Sequence, residues 1–337
     1  MLLIARAPVR ISFGGGGTDL PAYYSQFGGA VLNTAINRYV YAVLSSGPTQ
    51  ALQIISSDFR VFERHVDDEL VIDDGELGLA KAVLYEFGNH TGLDLFLSSQ
   101  VPPGTGLGSS GAVAVCMVTA LSAWHGRDMS KRQIAEMACD ISINKMGLPS
   151  GKQDEYGSAI GGLKQIVFNR EETIINPLDL PAPLMEAFQQ RMMLFFTGKS
   201  RDSGKILKKQ SDASQEQDPA TLERMHRIKA LGQDMVAALK QHDLDAFGDM
   251  LHQSWLQKRQ VVSDITNSLI DDAYQQAREC GALGGKIAGA GGGGFMMLYC
   301  HEDKQPAVTL ALETLGLRRM DFSFDFEGPQ VLLSQRD

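Results

Sequence analysis

The residues of this chain that could do chemistry gather in glycine-rich clusters. One is Gly14-Gly15-Gly16-Gly17-Thr18-Asp19, which follows an alternating stretch from Ile4 to Phe13. Adjacent glycines cost backbone entropy and pack nothing, so such a run marks a place where φ > 0 is needed or where backbone lies against a ligand. The flanking Arg10 and Asp19 predict that the ligand is polar. A second cluster, Pro102-Pro103-Gly104-Thr105-Gly106-Leu107-Gly108-Ser109-Ser110-Gly111, comes after a strand-like segment and directly before an apolar helical one. A helix N-terminus offers free N–H groups and the positive end of the dipole, and glycines let phosphate oxygens approach the backbone. Ser109 and Ser110 either add hydroxyl ligands or merely cap the helix. A third cluster, Gly151-Lys152-Gln153-Asp154-Glu155-Tyr156-Gly157, reads as a turn in which an acidic pair beside a lysine faces a cleft. Aspartate is also common in plain surface turns, where it bonds its own backbone.

Other spacings mislead. Gly106-x-Gly108-x-x-Gly111 and Gly289-x-Gly291-x-x-Gly294 fit the dinucleotide fingerprint, but that fingerprint needs a strand running straight into the first glycine and a helix after it. Pro102-Pro103 intervenes in one case, and a strand follows the other. Thr197-Gly198-Lys199-Ser200 has the tail of a P-loop, yet Met193 stands where its leading glycine belongs.

These clusters must be positioned by an ordinary globular chain. Its 337 residues are 44% hydrophobic and 21% charged, enough for two medium domains. A net charge of -9 argues against a nucleic-acid or anionic-membrane partner. Cys116, Cys139, Cys280 and Cys300 are far apart in apolar or helical stretches and read as reduced thiols. The chain enters its first strand without a signal-like segment, which predicts a cytoplasmic location. Its longest apolar run, Ala112 to Trp124, is too short to span a bilayer and is interrupted by Thr119 and Ser122.

Strand patterns cover residues 2–13, 30–45, 52–55 and 93–99, and helical periodicity covers 111–125 and 130–146, the latter starting with a capping box at Ser130 and Gln133. Strands at 162–168 and 191–197 flank an expected domain boundary near residue 170, giving domains 1–170 and 171–337. A helical region from 202 to 280 places Leu222, Met225, Ile228, Leu231, Met235 and Leu239 on one core face. Strands at 285–288, 295–300 and 317–326 and a helix at 305–315 complete an α+β pattern.

Taken in order, these clusters resemble the motifs of the GHMP small-molecule kinases, the group of galactokinase, homoserine kinase, mevalonate kinase and phosphomevalonate kinase. The first motif is matched by Ala7-Pro8-Val9-Arg10-Ile11 through Thr18-Asp19, the second by Pro102 to Gly111, and the third by Lys286-Ile287-Ala288-Gly289-Ala290-Gly291-Gly292-Gly293-Gly294-Phe295. Within the superfamily, the stretches from Phe13 to Pro21, Gly151 to Tyr156 and Phe196 to Arg201 resemble the D-glycero-D-manno-heptose 7-phosphate kinases. The resemblance implies an N-terminal domain like the second domain of ribosomal protein S5 and a ferredoxin-like C-terminal domain, with the site between them. It also implies ATP and Mg2+, transfer to the anomeric C1 oxygen of heptose 7-phosphate, and a step toward nucleotide-activated heptose for surface polysaccharide. A homodimer is allowed for.

Carried over by position, Asp154 is the base and Arg10 stabilises the moving phosphoryl group. Pro103, Gly104, Gly106, Leu107, Gly108, Ser109 and Ser110 wrap the ATP phosphates, and Ser110 ligates the metal. Gly15, Gly16, Gly17, Thr18 and Asp19 face the sugar, and Gly292 and Gly293 line the substrate side of the cleft. The substrate's own phosphate needs a cation, for which Arg201, Lys205 and Lys152 are candidates in that order. One departure concerns the metal: many members carry a glutamate ligand on the helix before the aspartate, and alignment on Pro149 puts Ser142 there. Serine is a poor substitute for a carboxylate with a hard cation, and Asp140, two residues away, points to another face. The metal is therefore expected to rely on Ser110, phosphate oxygens and water. Another anomeric kinase, of L-fucose or galactose type, and a catalytically silent nucleotide- or sugar-binding sensor are the alternatives. Intact Arg10, Ser110 and Asp154 speak against the sensor.

Overall fold

A computed structural model describes residues 1–66, 70, 72, 75–88, 90–198, 206, 208, 209, 212, 218–261 and 265–335. Strand β1 (Leu2–Gly14) buries Leu3, Ala5, Ala7, Val9, Ile11 and Phe13 on one face, as the two-residue period of a strand requires. Arg10 and Ser12 belong to its other face and are also buried, because a loop and a helix cover that face at this end. The partner of β1 is the long β2 (Gly29–Ser46), and their antiparallel register shifts between Pro8 and Val9. A proline brings no N–H to the ladder and belongs at such a bulge, which turns the strand just before Arg10.

Helix α1 (Pro21–Phe27) links β1 to β2, and β3 (Leu52–Ser56), β4 (Val61–His65), α2 (Gly78–Phe87) and β5 (Leu93–Ser99) follow. Helix α3 (Ser109–Trp124) lies against β1 and β2 with nearly all of its length buried. Helix α4 (Lys131–Cys139) starts at the expected capping box and runs into a π-helical turn, Asp140–Lys145. Then come α5 (Gln153–Ile160), β6 (Leu163–Phe168), β7 (Thr173–Pro177) and α6 (Ala182–Gln190). The segment 151–157, read as a turn, is thus the start of a helix.

The second sheet is antiparallel. Strand β8 (Met192–Phe196) is followed by α7 (Pro219–Lys240), α8 (Leu244–Lys258), α9 (Ser268–Glu279), β9 (Ala282–Ile287), β10 (Phe295–Cys300), α10 (Gln305–Thr314) and β11 (Arg318–Met320). Its strand order, β11-β8-β10-β9, with helices between the first and second strands and between the third and fourth, is the ferredoxin-like β-α-β-β-α-β arrangement. Met225 and Met235 are core residues, as their spacing predicts.

The expected strand at 317–326 is two strands in different sheets: β11 stays in the second, while β12 (Phe324–Asp325) pairs with β2. The chain ends on β13 (Gln330–Gln335), which pairs with β1. The first sheet has nine strands, in order β13-β1-β2-β5-β3-β4 with β6 and β12 also on β2 and β7 on β6. Residue 170 therefore does not separate the two sheets, since β7, β12 and β13 lie beyond it. Phe13 meets Phe188, Phe247 and Phe324 edge-on with ring centroids 5.4, 5.7 and 6.4 Å away, so one aromatic cluster joins the two halves.

Candidate active site

Two helix N-termini converge where β1 turns. Helix α3 begins after Gly108, which is left-handed at φ 74°, and no side chain caps it. Neither Ser109 nor Ser110 acts as a cap, so the first N–H groups of α3 are left for another acceptor. Helix α5 also lacks a local cap: Lys152 holds the cap position without a side-chain bond. The acceptor comes from the first glycine cluster instead, because Asp19 accepts from Gln153 N at 3.2 Å and from Gln153 Nε2 at 3.1 Å. A carboxylate at a helix N-terminus satisfies orphan donors and complements the dipole.

The two helices touch at their first turns. A Cβ on Gly111 would lie 2.7 Å from Asp154 Cβ, so any side chain there would push α5 away. Arg10 ties the junction together: Nε donates to Asp154 Oδ1 at 2.8 Å, Nη2 donates to the same oxygen, and Nη1 donates to the Gly106 carbonyl at 2.6 Å. The backbone of Arg10 adds N to Leu107 O at 2.9 Å. Arg10 is buried, while Asp154 keeps 30% of its side chain exposed, which leaves the carboxylate reachable from the cleft.

The structure brings Arg10, Asp154 and the whole 103–110 loop together, with Leu107 contributing backbone and sending its side chain into the core. Ser110 is exposed at the start of α3. Beside this loop is a cavity of about 140 Å³, lined by Phe59, Leu79, Leu97 and Val101 with Pro103, Gly104, Ser109 and Ser110. A surface cavity of about 760 Å³ beside α10 and β11 shares none of these residues.

Three expectations change. Thr18 does not face a ligand: it is fully buried, and its hydroxyl donates to the Gly15 and Ala30 carbonyls and accepts from Ala30 N. Asp19 is also turned inward, accepting from Gly17 N at 2.9 Å besides the bonds to Gln153, so it positions Asp154 through α5. Burial, and after it the charge of Asp154, raises the pKa of Asp19. Gly292 and Gly293 are buried, with Gly292 N donating to Ile265 O at 2.7 Å and Asn267 Nδ2 donating to Gly292 O at 3.3 Å. Their run backs the second cluster, where a Cβ on Gly289 would lie 2.5 Å from Gly106 Cα. Lys152 sits half-buried at the rim, its ammonium 5.1 Å from the centroid of Tyr24. Arg201 and Lys205 lie outside the described residues.

Ser142 is buried in the π-helical turn and donates to Ala138 O at 2.9 Å, whereas Asp140 pairs with Lys145 and accepts from Asn144 on the outside. The carboxyl nearest Ser142 is that of Glu155, wholly buried, with Oε2 unpartnered. Burial, and then Asp154, pushes the pKa of Glu155 up to about 8. The folded state thus keeps this proton where an unfolded chain releases it. The contribution to stability is whole below about 4.5 and is lost as pH rises to about 8. Glu155→Gln keeps the shape and cannot titrate, so its melting temperature should gain on wild type by about 5 °C between pH 5 and pH 8. An equal difference at both pH values would refute this account.

Sequence reasoning gave no role to Gln153, Lys258 or Lys286, and of the acidic pair expected to face a cleft, Glu155 is instead buried. Lys286 is inside the third motif and donates to Ser12 O at 2.9 Å. Nothing in the sequence distinguishes Lys258 from a solvated lysine at a helix end. Among the described residues, no helix is long and apolar enough to cross a membrane.

Comparison with known proteins agrees with this geometry. The description "GHMP kinases N terminal domain" matches residues 77–162, and "GHMP kinases C terminal" matches 235–316. The chain is similar to the D-glycero-alpha-D-manno-heptose 7-phosphate kinase of Campylobacter jejuni, 29% identical over 329 residues and 96% of each chain. It is similar to the mevalonate kinase of Thermococcus sibiricus, 31% identical over 241 residues, 69% of this chain and 67% of that protein. Among solved structures, the D-glycero-D-manno-heptose 1-phosphate kinase from Bacteriodes thetaiotaomicron superposes with a TM-score of 0.82 at 25% identity, over 100% of both chains. With both halves matched in order around this junction, the chain belongs to the GHMP kinases, a family of ATP-dependent kinases.

Proposed function

We propose that the enzyme transfers the γ-phosphoryl group of ATP to the anomeric C1 hydroxyl of D-glycero-D-manno-heptose 7-phosphate, giving ADP and heptose 1,7-bisphosphate. The observation that carries the reaction is the Arg10–Asp154 pair at the meeting of two helix N-termini. The free N–H groups of α3 and the 103–108 backbone suit the phosphates, and the neighbouring apolar cavity suits the base. Asp154, within reach of the cleft, takes the proton of the attacking hydroxyl. The acceptor oxygen bonds to phosphorus as the bond from phosphorus to the leaving ADP oxygen breaks. An anomeric hydroxyl is more acidic than an ordinary alcohol, which suits an aspartate base. Arg10 neutralises charge on the moving phosphoryl group, acting from a rigid strand.

For the metal the donor set is sparse. Ser110 presents an exposed hydroxyl, Ser142 is committed to the backbone, and the described residues hold no cluster of three or more His, Cys, Asp or Glu that could bind an ion. This fits Mg2+ carried by the nucleotide's own phosphates, with Ser110 as its protein contact and water completing the shell. When bound, the ion supplies further charge neutralisation on the phosphate oxygens.

The heptose reading rests on the Campylobacter relative, which matches this chain over nearly its full length, and on the solved heptose kinase. Their names place the phosphate at different positions, so the acceptor needs a direct test. ADP release should be followed with heptose 7-phosphate, heptose 1-phosphate, free heptose, L-fucose, galactose and mevalonate. Heptose 7-phosphate is expected to lead in kcat/KM by about tenfold or more, since a site built for a charged group rejects analogues without it. Preference for an unphosphorylated sugar would overturn the assignment and leave the kinase class standing. A fall on Arg201→Ala or Lys152→Ala confined to phosphorylated sugars would identify the cation that holds the substrate's phosphate.

A further inference from the structure

We infer that Lys258 is a further catalytic residue, whose ammonium donates to a non-bridging oxygen of the γ-phosphoryl group at the seam between the nucleotide loop and the first glycine cluster. The inference rests on the kinase reading of the site and is independent of which sugar is the acceptor.

A lysine at a helix C-terminus ordinarily reaches into water beside the last carbonyls. Lys258 ends α8 and is 5% exposed. Its Nζ donates to the Gly289 carbonyl at 2.6 Å, its one hydrogen bond among the described residues. An ammonium carries three donors, and leaving two of them unpaired in the interior is costly. No carboxylate lies within ion-pair distance of it among the described residues. The side chain is held in place, yet among the described residues no carboxylate pairs with it directly.

The unused donors have room beside them. A Cβ built on Gly16 would lie 3.5 Å from Ser12 Oγ, 3.8 Å from Gln153 Nε2 and 3.9 Å from Lys258 Nζ, all ordinary contacts. A Cβ on the adjoining Gly15 would instead strike the Ala30 carbonyl at 1.8 Å. The space next to Gly16 is therefore large enough for a ligand atom and is ringed by three polar side chains from β1, α5 and α8. Ser12 Oγ and Gln153 Oε1 are themselves buried without a partner. Three groups converge there; among the described residues Ser12 Oγ is left to donate to an anion, while Gln153 Oε1 is an acceptor and suits a hydroxyl instead.

The position identifies the ligand. Gly289, which anchors Lys258, is pressed against Gly106 of the nucleotide loop, and Gly16 belongs to the loop that Asp19 ties to Gln153, the neighbour of Asp154. A group between these loops lies on the transfer path and not at the remote end of a sugar phosphate. Charges act on Lys258 from both signs: Asp19 and Asp154 favour its charged form and Arg10 opposes it. Lys286 is spent on the Ser12 carbonyl, whereas Lys258 keeps two ammonium donors without a partner among the described residues. Burial holds its pKa down to about 8 against the opposing charge of Asp19, with Arg10 adding to the effect of burial, and an arriving anion favours the charged form further. No proton leaves Lys258 in the reaction. The acceptor's proton goes to Asp154, and the ammonium only donates hydrogen bonds.

The test needs no knowledge of the acceptor. Lys258→Met removes the charge at similar length, and Lys258→Gln is a second variant should the first be insoluble. Calorimetry of each with ADP and with the non-hydrolysable triphosphate AMPPNP, both with Mg2+, should show ADP affinity within about twofold of wild type and AMPPNP weakened about tenfold. Steady-state rates with the sugar that wild type turns over fastest should fall about a hundredfold in kcat, with the sugar KM within about threefold. Equal effects on ADP and AMPPNP, or an unchanged kcat with a raised KM for phosphorylated sugars alone, would overturn the inference. Should heptose 7-phosphate not be that fastest sugar, the acceptor assignment fails while the comparison of nucleotides still decides the role of Lys258.

Discussion

Replacing Asp154 with asparagine is expected to lower kcat by about 10²- to 10⁴-fold, the range spanned by losses of a positioned general base. Asparagine has nearly the same size, and its amide oxygen can still accept from Arg10, so the junction of α3 and α5 should stay closed. What is lost is the capacity to take the proton from the acceptor. Nucleotide affinity should therefore hold, as should the melting temperature and the sugar KM, with the deficit confined to the chemical step. Single-turnover rates alongside calorimetry with ADP check this separation. Turnover within about threefold of wild type would remove Asp154 from the role of base.

Arg10→Gln should also be severe, at about 10²- to 10³-fold in kcat, the usual loss when one preorganised donor is taken from a developing charge. Its signature differs from that of Asp154→Asn. Arg10 also holds the Gly106 carbonyl and shields Asp154, so its removal should loosen the nucleotide loop and weaken AMPPNP binding as well. Because the two side chains act as a unit, the double variant should be about as slow as the worse single one. Multiplying losses would mean that Arg10 and Asp154 work independently.

The part of this site that could be read from sequence is the part made of local pattern. Glycines at fixed offsets before an apolar run announced the glycine loop that opens α3, because a helix start and a close backbone approach each leave a local signature. Asp154 was visible as chemistry but misplaced as structure. Its helix is started by Asp19, 134 residues away in the chain, so no capping residue stands before Gln153. Thr18 and Asp19 looked like ligand-facing polar groups because sequence does not say which way a loop folds its side chains. Their hydrogen bonds go inward to the loop and to α5. The third glycine run was recognised as a motif, yet its place behind the 103–110 loop depends on the second sheet docking on the first, a contact no local pattern encodes. Lys258 was invisible for the same reason, since only tertiary packing distinguishes a buried helix-end lysine from a solvated one.

The return of β12 and β13 to the first sheet carries a cost in time. Arg6 donates to Gln330, a contact spanning 324 residues, and β1 has no neighbour on that side until β13 arrives. Closing so long a loop adds little to the equilibrium cost, because loop entropy grows only logarithmically. It does delay the pairing during synthesis: the sheet that carries Arg10 is begun first and completed last. Until residues 330–335 emerge, residues 2–6 of β1 offer an open edge from which other chains could template strands. The strand that carries Arg10 is thus also the segment of the nascent protein most in need of protection from aggregation.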